Sequence, residues 1–305
     1  MRHLGLSPMI LVIGEILFDL FPDERRIGGA PFNFAFHLRH LGFDVRFISR
    51  VGKDTLGNEL KDFLHRHGFA AQDLQTDPAH ATGRVTVSLK SDGSHVFDIV
   101  RDTAYDHIEF TDHLKGLCTA PPDLLYFGTL IQRTENGHAL VKNCLSAAGP
   151  SCVTFCDINL RPGCYTPKIA ADTVAAADIL KLSDEELDII APGRDADLET
   201  RIRHLARSSN PETVILTRGE KGSIWATRQD TLSHPVPGKK RAAVADTVGA
   251  GDAYAAMAAA GRLKGLPDSQ TMALAQEFAG RICEIRGALP HSPSFYTDFK
   301  RGLFL

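Results

Sequence analysis

Short apolar runs alternate with amphipathic stretches along most of this chain, and that alternation limits the folds open to it. Met9-Ile10-Leu11-Val12-Ile13-Gly14 is apolar without interruption and stops at glycine, the pattern of a strand covered on both faces in a parallel sheet. Phe32 to Leu41 then predicts a helix, Val45 to Val51 a strand, and Gly57 to His67 a helix that Gly68 stops. Further strands are predicted at Leu124 to Phe127, Cys152 to Cys156, Ile179 to Leu182 and Thr213 to Thr217, with helices around 135 to 147, 184 to 191 and 197 to 208. Strand and helix in turn imply a parallel sheet with helices on both faces.

One segment breaks the rhythm. Arg84 to Lys90 alternates apolar and polar residues with period two, Ser91-Asp92-Gly93-Ser94 supplies a turn, and His95 to Val100 returns, which predicts a half-exposed antiparallel hairpin. A hairpin inserted in an α/β domain is a candidate lid over the crevice at the carboxyl ends of the strands, with an ordinary solvated excursion as the alternative.

Three segments carry chemistry. Asp246-Thr247-Val248-Gly249-Ala250-Gly251-Asp252 runs into an alanine-rich helix predicted over Ala253 to Leu263. Small residues at a helix N-terminus leave backbone N–H groups open to an anion, and the helix dipole adds attraction. Asp252 at that point is either a dipole-complementing or capping carboxylate or a general base beside a bound phosphate. Gly28-Gly29-Ala30-Pro31-Phe32-Asn33 opens the first helix, where glycine permits close backbone approach and Asn33 both donates and accepts hydrogen bonds; a plain loop-to-helix turn has the same local pattern. Asp19 follows the first strand, near the end of the sheet where crevice ligands bind.

Together these segments resemble the ribokinase-like (PfkB) carbohydrate kinases. Gly28-Gly29 through Asn33, continuing to Leu41-Gly42, is similar to the family's first signature, Val51-Gly52-Lys53-Asp54 with Gly57 to the segment after it, and Asp246 to Asp252 to the second signature. Asp157-Ile158-Asn159-Leu160-Arg161, Thr217 to Gly222 and the late Gly287-Ala288 also match. The resemblance covers nearly the whole chain. It implies a three-layer α/β/α fold with a mostly parallel central sheet, in which residues 1–305 form a single kinase domain and about 15–30 and 82–108 form a small β-sheet lid. It further implies that Asp252 takes the proton from the acceptor hydroxyl while the Gly249, Ala250 and Gly251 amides stabilise the transferred phosphoryl group. Asp19, Gly28, Gly29, Asn33 and Arg161 fall on the sugar side. Ser183, Thr217, Gly219 and Gly222 fall on the ATP side, together with Gly249 and Gly251.

The family's Asn-x-x-Glu element reads Ser183-Asp184-Glu185-Glu186 here. Glu186 is expected to act on Mg2+ through bound water, which suits that ion's reluctance to dehydrate, and Ser183 and Glu186 also have the spacing of a capping box. Cofactors implied are ATP and Mg2+, with room for a monovalent cation such as K+. The hairpin, Tyr126 to Leu130 and Gly14 to Asp19 most resemble fructokinase-like members, so fructose, phosphorylated to fructose 6-phosphate, is the first expected acceptor. Kinases of 2-keto-3-deoxygluconate, where an arginine such as Arg161 or Arg101 meets a carboxylate, and ribokinase or nucleoside kinases are the alternatives. Phe97 is a candidate cover for the sugar's apolar face, with simple packing as the other reading. Family lids often pair, so a homodimer through the lid is expected by resemblance.

Other classes fit poorly. Neither Gly52-Lys53-Asp54 nor Lys221-Gly222-Ser223 has Walker A spacing, and no G-x-G-x-x-G follows the first strand. A net charge of −3 gives no reason to expect a nucleic acid partner. His37, His40, His65 and His67 make no H-E-x-x-H, so no structural metal is expected. The six cysteines form no C-x-x-C pair and read as reduced packing residues, as in a cytoplasm. Met9 to Leu20, broken by Glu15 and Asp19, is neither signal peptide nor membrane span. Translation from Met9, or a loose tail over residues 1–8, are both open readings. A non-catalytic sugar-binding relative is the rival from another class, disfavoured because Asp252 and the glycines are both intact.

Overall fold

The computed structural model describes residues 8–89, 95–193, 196–234 and 244–304, without side chains at 88, 89 and 95–97. The turn expected at 91–94, the side chain of Phe97 and the N-terminal tail lie outside the described residues. The strands are β1 (Met9–Ile13), β2 (Leu17–Leu20), β3 (Arg25–Gly28), β4 (Asp44–Gly52), β5 (Leu74–Asp77), β6 (Arg84–Leu89), β7 (His95–Ile99), β8 (Leu124–Phe127), β9 (Val153–Asp157), β10 (Ile179–Ser183), β11 (Thr213–Thr217), β12 (Ser223–Thr227) and β13 (Thr231–His234).

Nine strands form one sheet in the order β13-β12-β11-β10-β9-β8-β1-β4-β5. From β5 to β11 every neighbouring pair is parallel, and β12 and β13 add an antiparallel margin. Period two sends alternate residues to opposite faces. Ile10, Val12, Tyr126, Phe155 and Ile179 join one core, and Leu11, Ile13, Leu125, Phe127 and Leu180 join the other. The first core also holds the helices Ala30–Leu41, Ala250–Lys264 and Asp268–Ile282, and the second holds Glu135–Ala148 and Leu198–Ser208. This is the expected three-layer α/β/α arrangement. Among the described residues no helix is long and apolar enough to cross a membrane.

A second sheet of four strands, β3-β2-β6-β7, carries the hairpin. Val85 and Val87 point inward while Arg84 and Thr86 are exposed, as the alternation predicts. Strand β6 pairs with β7 antiparallel and with β2 parallel, so residues after β1 complete the sheet. The chain then leaves it through Ala104–His107, a 3₁₀ turn packed on the body, where Arg133 grips Asp106 through two hydrogen bonds of 2.7 and 2.6 Å.

Chain order reverses beside β1, which has β4 on one side and β8 on the other. A crevice at the carboxyl ends of the strands follows from such a switch point.

Candidate active site

The first and last glycine-rich segments meet at this crevice. Helix Ala250–Lys264 starts three residues earlier than expected, because Gly249 takes φ +79°, a left-handed conformation that turns the chain straight into the helix. A Cβ at Gly249 would lie 2.2 Å from the Ala288 Cβ, so the close approach also requires glycine there. No side chain of the N-cap residue closes this helix end, so its first-turn amides keep their capacity for an anion. Gly29 caps the other helix, Ala30–Leu41, at φ +112°, and a Cβ on it would sit 2.5 Å from the Glu15 carbonyl oxygen.

Asn33 and Asp252 project from these two helices toward each other. The Asn33 Nδ2 donates to Asp252 Oδ2 over 2.7 Å, so the Asp252 carboxylate engages another helix. Asn33 is 4% exposed and its Oδ1 has no partner, leaving a buried acceptor at the site. An orphaned amide oxygen beside a carboxylate suits a ligand with two hydroxyls, one donating to the amide oxygen and the other yielding its proton to the carboxylate. Burial pushes the Asp252 carboxyl upward, and the charge of Asp19 adds to that; the Asn33 hydrogen bond, Lys181 and Arg161 pull it back.

Period two explains a buried ion pair behind this carboxylate. Asp157 of β9 and Lys181 of β10 stand side by side in register, on the face that carries helix Ala250–Lys264. Lys181 Nζ contacts both Asp157 oxygens at 2.9 and 2.8 Å and lies 3.5 Å from the position of a Cβ on Gly251. Burial opposes the Lys181 charge, but Asp157 and Glu186 hold its pKa above the ordinary value. Glu15 follows β1 and is 4% exposed; burial raises its pKa to about 7, against the pull of its own backbone amide and Arg161. Asp19 on β2 rises to about 6 by burial, tempered by Arg161 and Arg26. Its Oδ2 would lie 2.8 Å from a Cβ on Gly28, so that glycine gives the carboxylate its room.

Lys181 and Glu15 received no role from the sequence. Their signal was a charge inside a buried strand pattern, which persists only when paired or functional.

Other expected residues are arranged around this core. Ser183 and Thr217 are register partners at the ends of β10 and β11. Ser183 caps helix Asp184–Ile190 in the predicted capping box, and Glu186 accepts from Ser183 N at 2.8 Å and Leu160 N at 2.7 Å. Gly219 and Gly222 both take positive φ, and a Cβ on Gly219 would meet open space. Arg161 is exposed, and its charge is felt at Glu15, Asp19, Asp157 and Asp252. Arg101 is drawn instead to the Gly163 carbonyl at 2.9 Å. Asp246, which opens the motif, accepts from Arg26 of β3 at 2.9 Å and from Gly287 N at 3.1 Å, tying the small sheet to the glycine-rich loop.

Five carboxyls, of Glu15, Asp19, Asp157, Glu186 and Asp252, thus face the cations Lys181 and Arg161. The hard-oxygen donors and surplus negative charge fit a divalent cation bound with phosphate. Glu186 has both oxygens engaged by amides, so contact through water is what it has to offer.

The sequence matches the pfkB family carbohydrate kinase description over residues 9–294. The chain belongs to the PfkB family. It is a sugar kinase of that family, a phosphotransferase with an alcohol group as acceptor. A fructokinase of Klebsiella pneumoniae is 32% identical over 317 residues, covering 98% of this chain and 100% of that one. The fructokinase of Xylella fastidiosa solved with bound ATP superposes with a TM-score of 0.82 at 22% identity, over 97% of this chain and 99% of that one. The fructokinase of Vibrio cholerae O395 in its fructose, ADP and calcium ion bound form gives 0.77 at 22% identity, over 95% and 98%. These two likenesses carry the PfkB fold.

Proposed function

We propose that this PfkB kinase transfers the γ-phosphoryl group of Mg-ATP to fructose, giving fructose 6-phosphate and ADP. The observation that carries the reading is the Asn33–Asp252 pair with its unpartnered amide oxygen, in a chain aligned end to end with a fructokinase. Asp252 accepts the proton of the attacking hydroxyl as its oxygen bonds to phosphorus and the bond to the ADP oxygen breaks. The Gly249, Ala250 and Gly251 amides, backed by Lys181, stabilise the charge on the phosphoryl oxygens. Phosphoryl transfer depends on alignment and charge neutralisation more than on covalent chemistry, and these groups supply both.

Asn33, Asp19, Gly28 and Gly29 hold the sugar, with Arg161 at its rim. Ser183, Thr217, Gly219 and Gly222 border the nucleotide. Glu186 would reach the water shell of Mg2+, which when bound would supply neutralisation of the nucleotide phosphates. The small sheet acts as a lid whose closure excludes water and so limits idle ATP hydrolysis.

One observation favours a second acceptor. Arg161 is an exposed guanidinium in the Asp157–Arg161 segment, able to hold a substrate carboxylate by paired hydrogen bonds, as in 2-keto-3-deoxygluconate. A coupled ADP-release screen with Mg-ATP against fructose, 2-keto-3-deoxygluconate, ribose and nucleosides decides between them. The expected outcome is the highest kcat/KM on fructose. A higher value on the keto acid moves the assignment to it, and no turnover on any acceptor favours a binding protein.

A further inference from the structure

At the base of the small sheet, away from the groups that form the Asp252 centre, two histidines and an aspartate converge. His80 lies on the connection from β5 into β6, and Asp102 and His107 lie on the connection that leaves β7. His107 Nε2 is 2.8 Å from Asp102 Oδ1, and His80 Nε2 is 3.7 Å from the same oxygen. The imidazole rings stack with centroids 3.5 Å apart. All three ligand atoms fall within 4.8 Å of one another.

The tautomer of His80 gives this cluster its direction. Asp77 is 2% exposed; its Oδ2 receives the His80 Nδ1–H at 3.1 Å and forms an ion pair with the Arg50 guanidinium, whose Nε lies 2.8 Å away. Its Oδ1 receives the Ala79 and His80 amides at 2.8 and 2.9 Å. With Nδ1 turned to Asp77, His80 presents its Nε2 to the Asp102 carboxylate, where a proton or a metal ion can bridge the two. A carboxylate that orients a histidine through its far nitrogen is the usual support of a metal-bound imidazole.

We propose that His80, His107 and Asp102 bind one divalent transition-metal ion, of the imidazole-preferring class to which Zn2+ and Co2+ belong, and that the ion clips together the two connections joining the small sheet to the body. Two imidazoles and a carboxylate select such ions over Mg2+, which prefers oxygen donors. Ligand atoms around a tetrahedral zinc at about 2.0–2.1 Å stand roughly 3.4 Å apart, and because the two rings stack at 13° the cluster closes on an ion only when the His107 ring turns out of the stack while Asp77 keeps His80 in place. Asp102 is 77% exposed on its side chain, which leaves the fourth position to water. His80 and its partners are more than twenty residues apart in sequence, and no local spacing announces them, which is why the sequence carried no expectation of a structural metal. The proposal needs no part of the fructose assignment.

The test uses the full chain, stripped with EDTA and titrated with Co2+ or Zn2+ alone, without nucleotide or sugar. Expected are visible d–d bands for one Co2+ per chain, displacement by Zn2+ but not Mg2+, and a higher Tm with Zn2+. Affinity should fall at least about 10-fold to 100-fold in His80→Gln and in His107→Gln, and the Tm response should vanish with it. Unchanged affinity in the double variant, thiolate charge-transfer bands in place of d–d bands, or no binding above that of the double variant would each overturn the proposal. Circular dichroism of the metal-free variants checks that both keep the fold.

Discussion

Asn33 and Asp252, 219 positions apart, share a 2.7 Å hydrogen bond in which the amide donates and the carboxylate accepts. The bond orients the carboxylate and favours its ionised form, the form a general base needs.

Replacing Asp252 by Asn removes that base and leaves the helix end intact. Turnover should fall by about 10²- to 10⁴-fold with a modest change in sugar KM. Steady-state ADP release measures it, and near-normal turnover would contradict the role of Asp252.

Asn33→Ala withdraws a donor that lowers the Asp252 pKa, so that pKa rises further. The acid limb of the kcat/KM profile should move to higher pH, and the sugar KM should rise far more than the ATP KM. Equal changes in both KM values, with an unmoved pH profile, would remove Asn33 from the sugar.

Glu15 titrates near 7 in the folded chain against 4.5 for the free side chain, because burial disfavours its charge. Its folded pKa is raised, so its contribution to stability is complete below pH 4.5 and is lost as pH climbs through about 7. Unfolding free energies of wild type from urea titrations should therefore fall across that window more than those of Glu15→Gln, by at most about 3 kcal/mol between the ends. Parallel pH profiles for the two proteins would dismiss the effect.

Lys181→Met strands the Asp157 carboxylate in the interior, which should cost about 3–5 kcal/mol. Lys181→Met with Asp157→Leu removes both charges and should recover much of that loss in urea unfolding. Turnover should stay low in both, since neither restores the positive charge behind Gly251. Full activity in the double variant would reduce the pair to packing.

The alternation of strand and helix was legible because a strand buried on both faces must be apolar throughout, as Ile10 to Ile13 are. The hairpin was legible from the period of Val85 and Val87. Strands β2 and β3 were expected only through the resemblance, which put about 15–30 in the small sheet: each has four residues, and Asp19 and Arg26, register partners in that sheet, look like loop polarity when read alone. Asp252 and Asn33 were visible as candidates, each with a bland alternative, but the contact between them was not, because it joins residues 219 positions apart. Lys181 stayed hidden because its partner belongs to a neighbouring strand, and strand order is a property of the whole sheet. The helix start at Ala250 was misplaced by three residues because Gly249 and Gly251 resemble loop until the left-handed cap is seen.

The packing of helix Ala30–Leu41 against helix Ala250–Lys264 has a consequence for biosynthesis. Phe34 and Ala253 belong to one core, yet the first is translated long before the second. At about 5–20 residues per second, the interval is roughly 10–45 s. Throughout it the strip of the early helix that meets the late one has no native cover, although Phe32 already has Phe47, Phe63 and Phe69 beside it. That nascent face is the natural target for a holdase, and prematurely terminated chains would adhere through it.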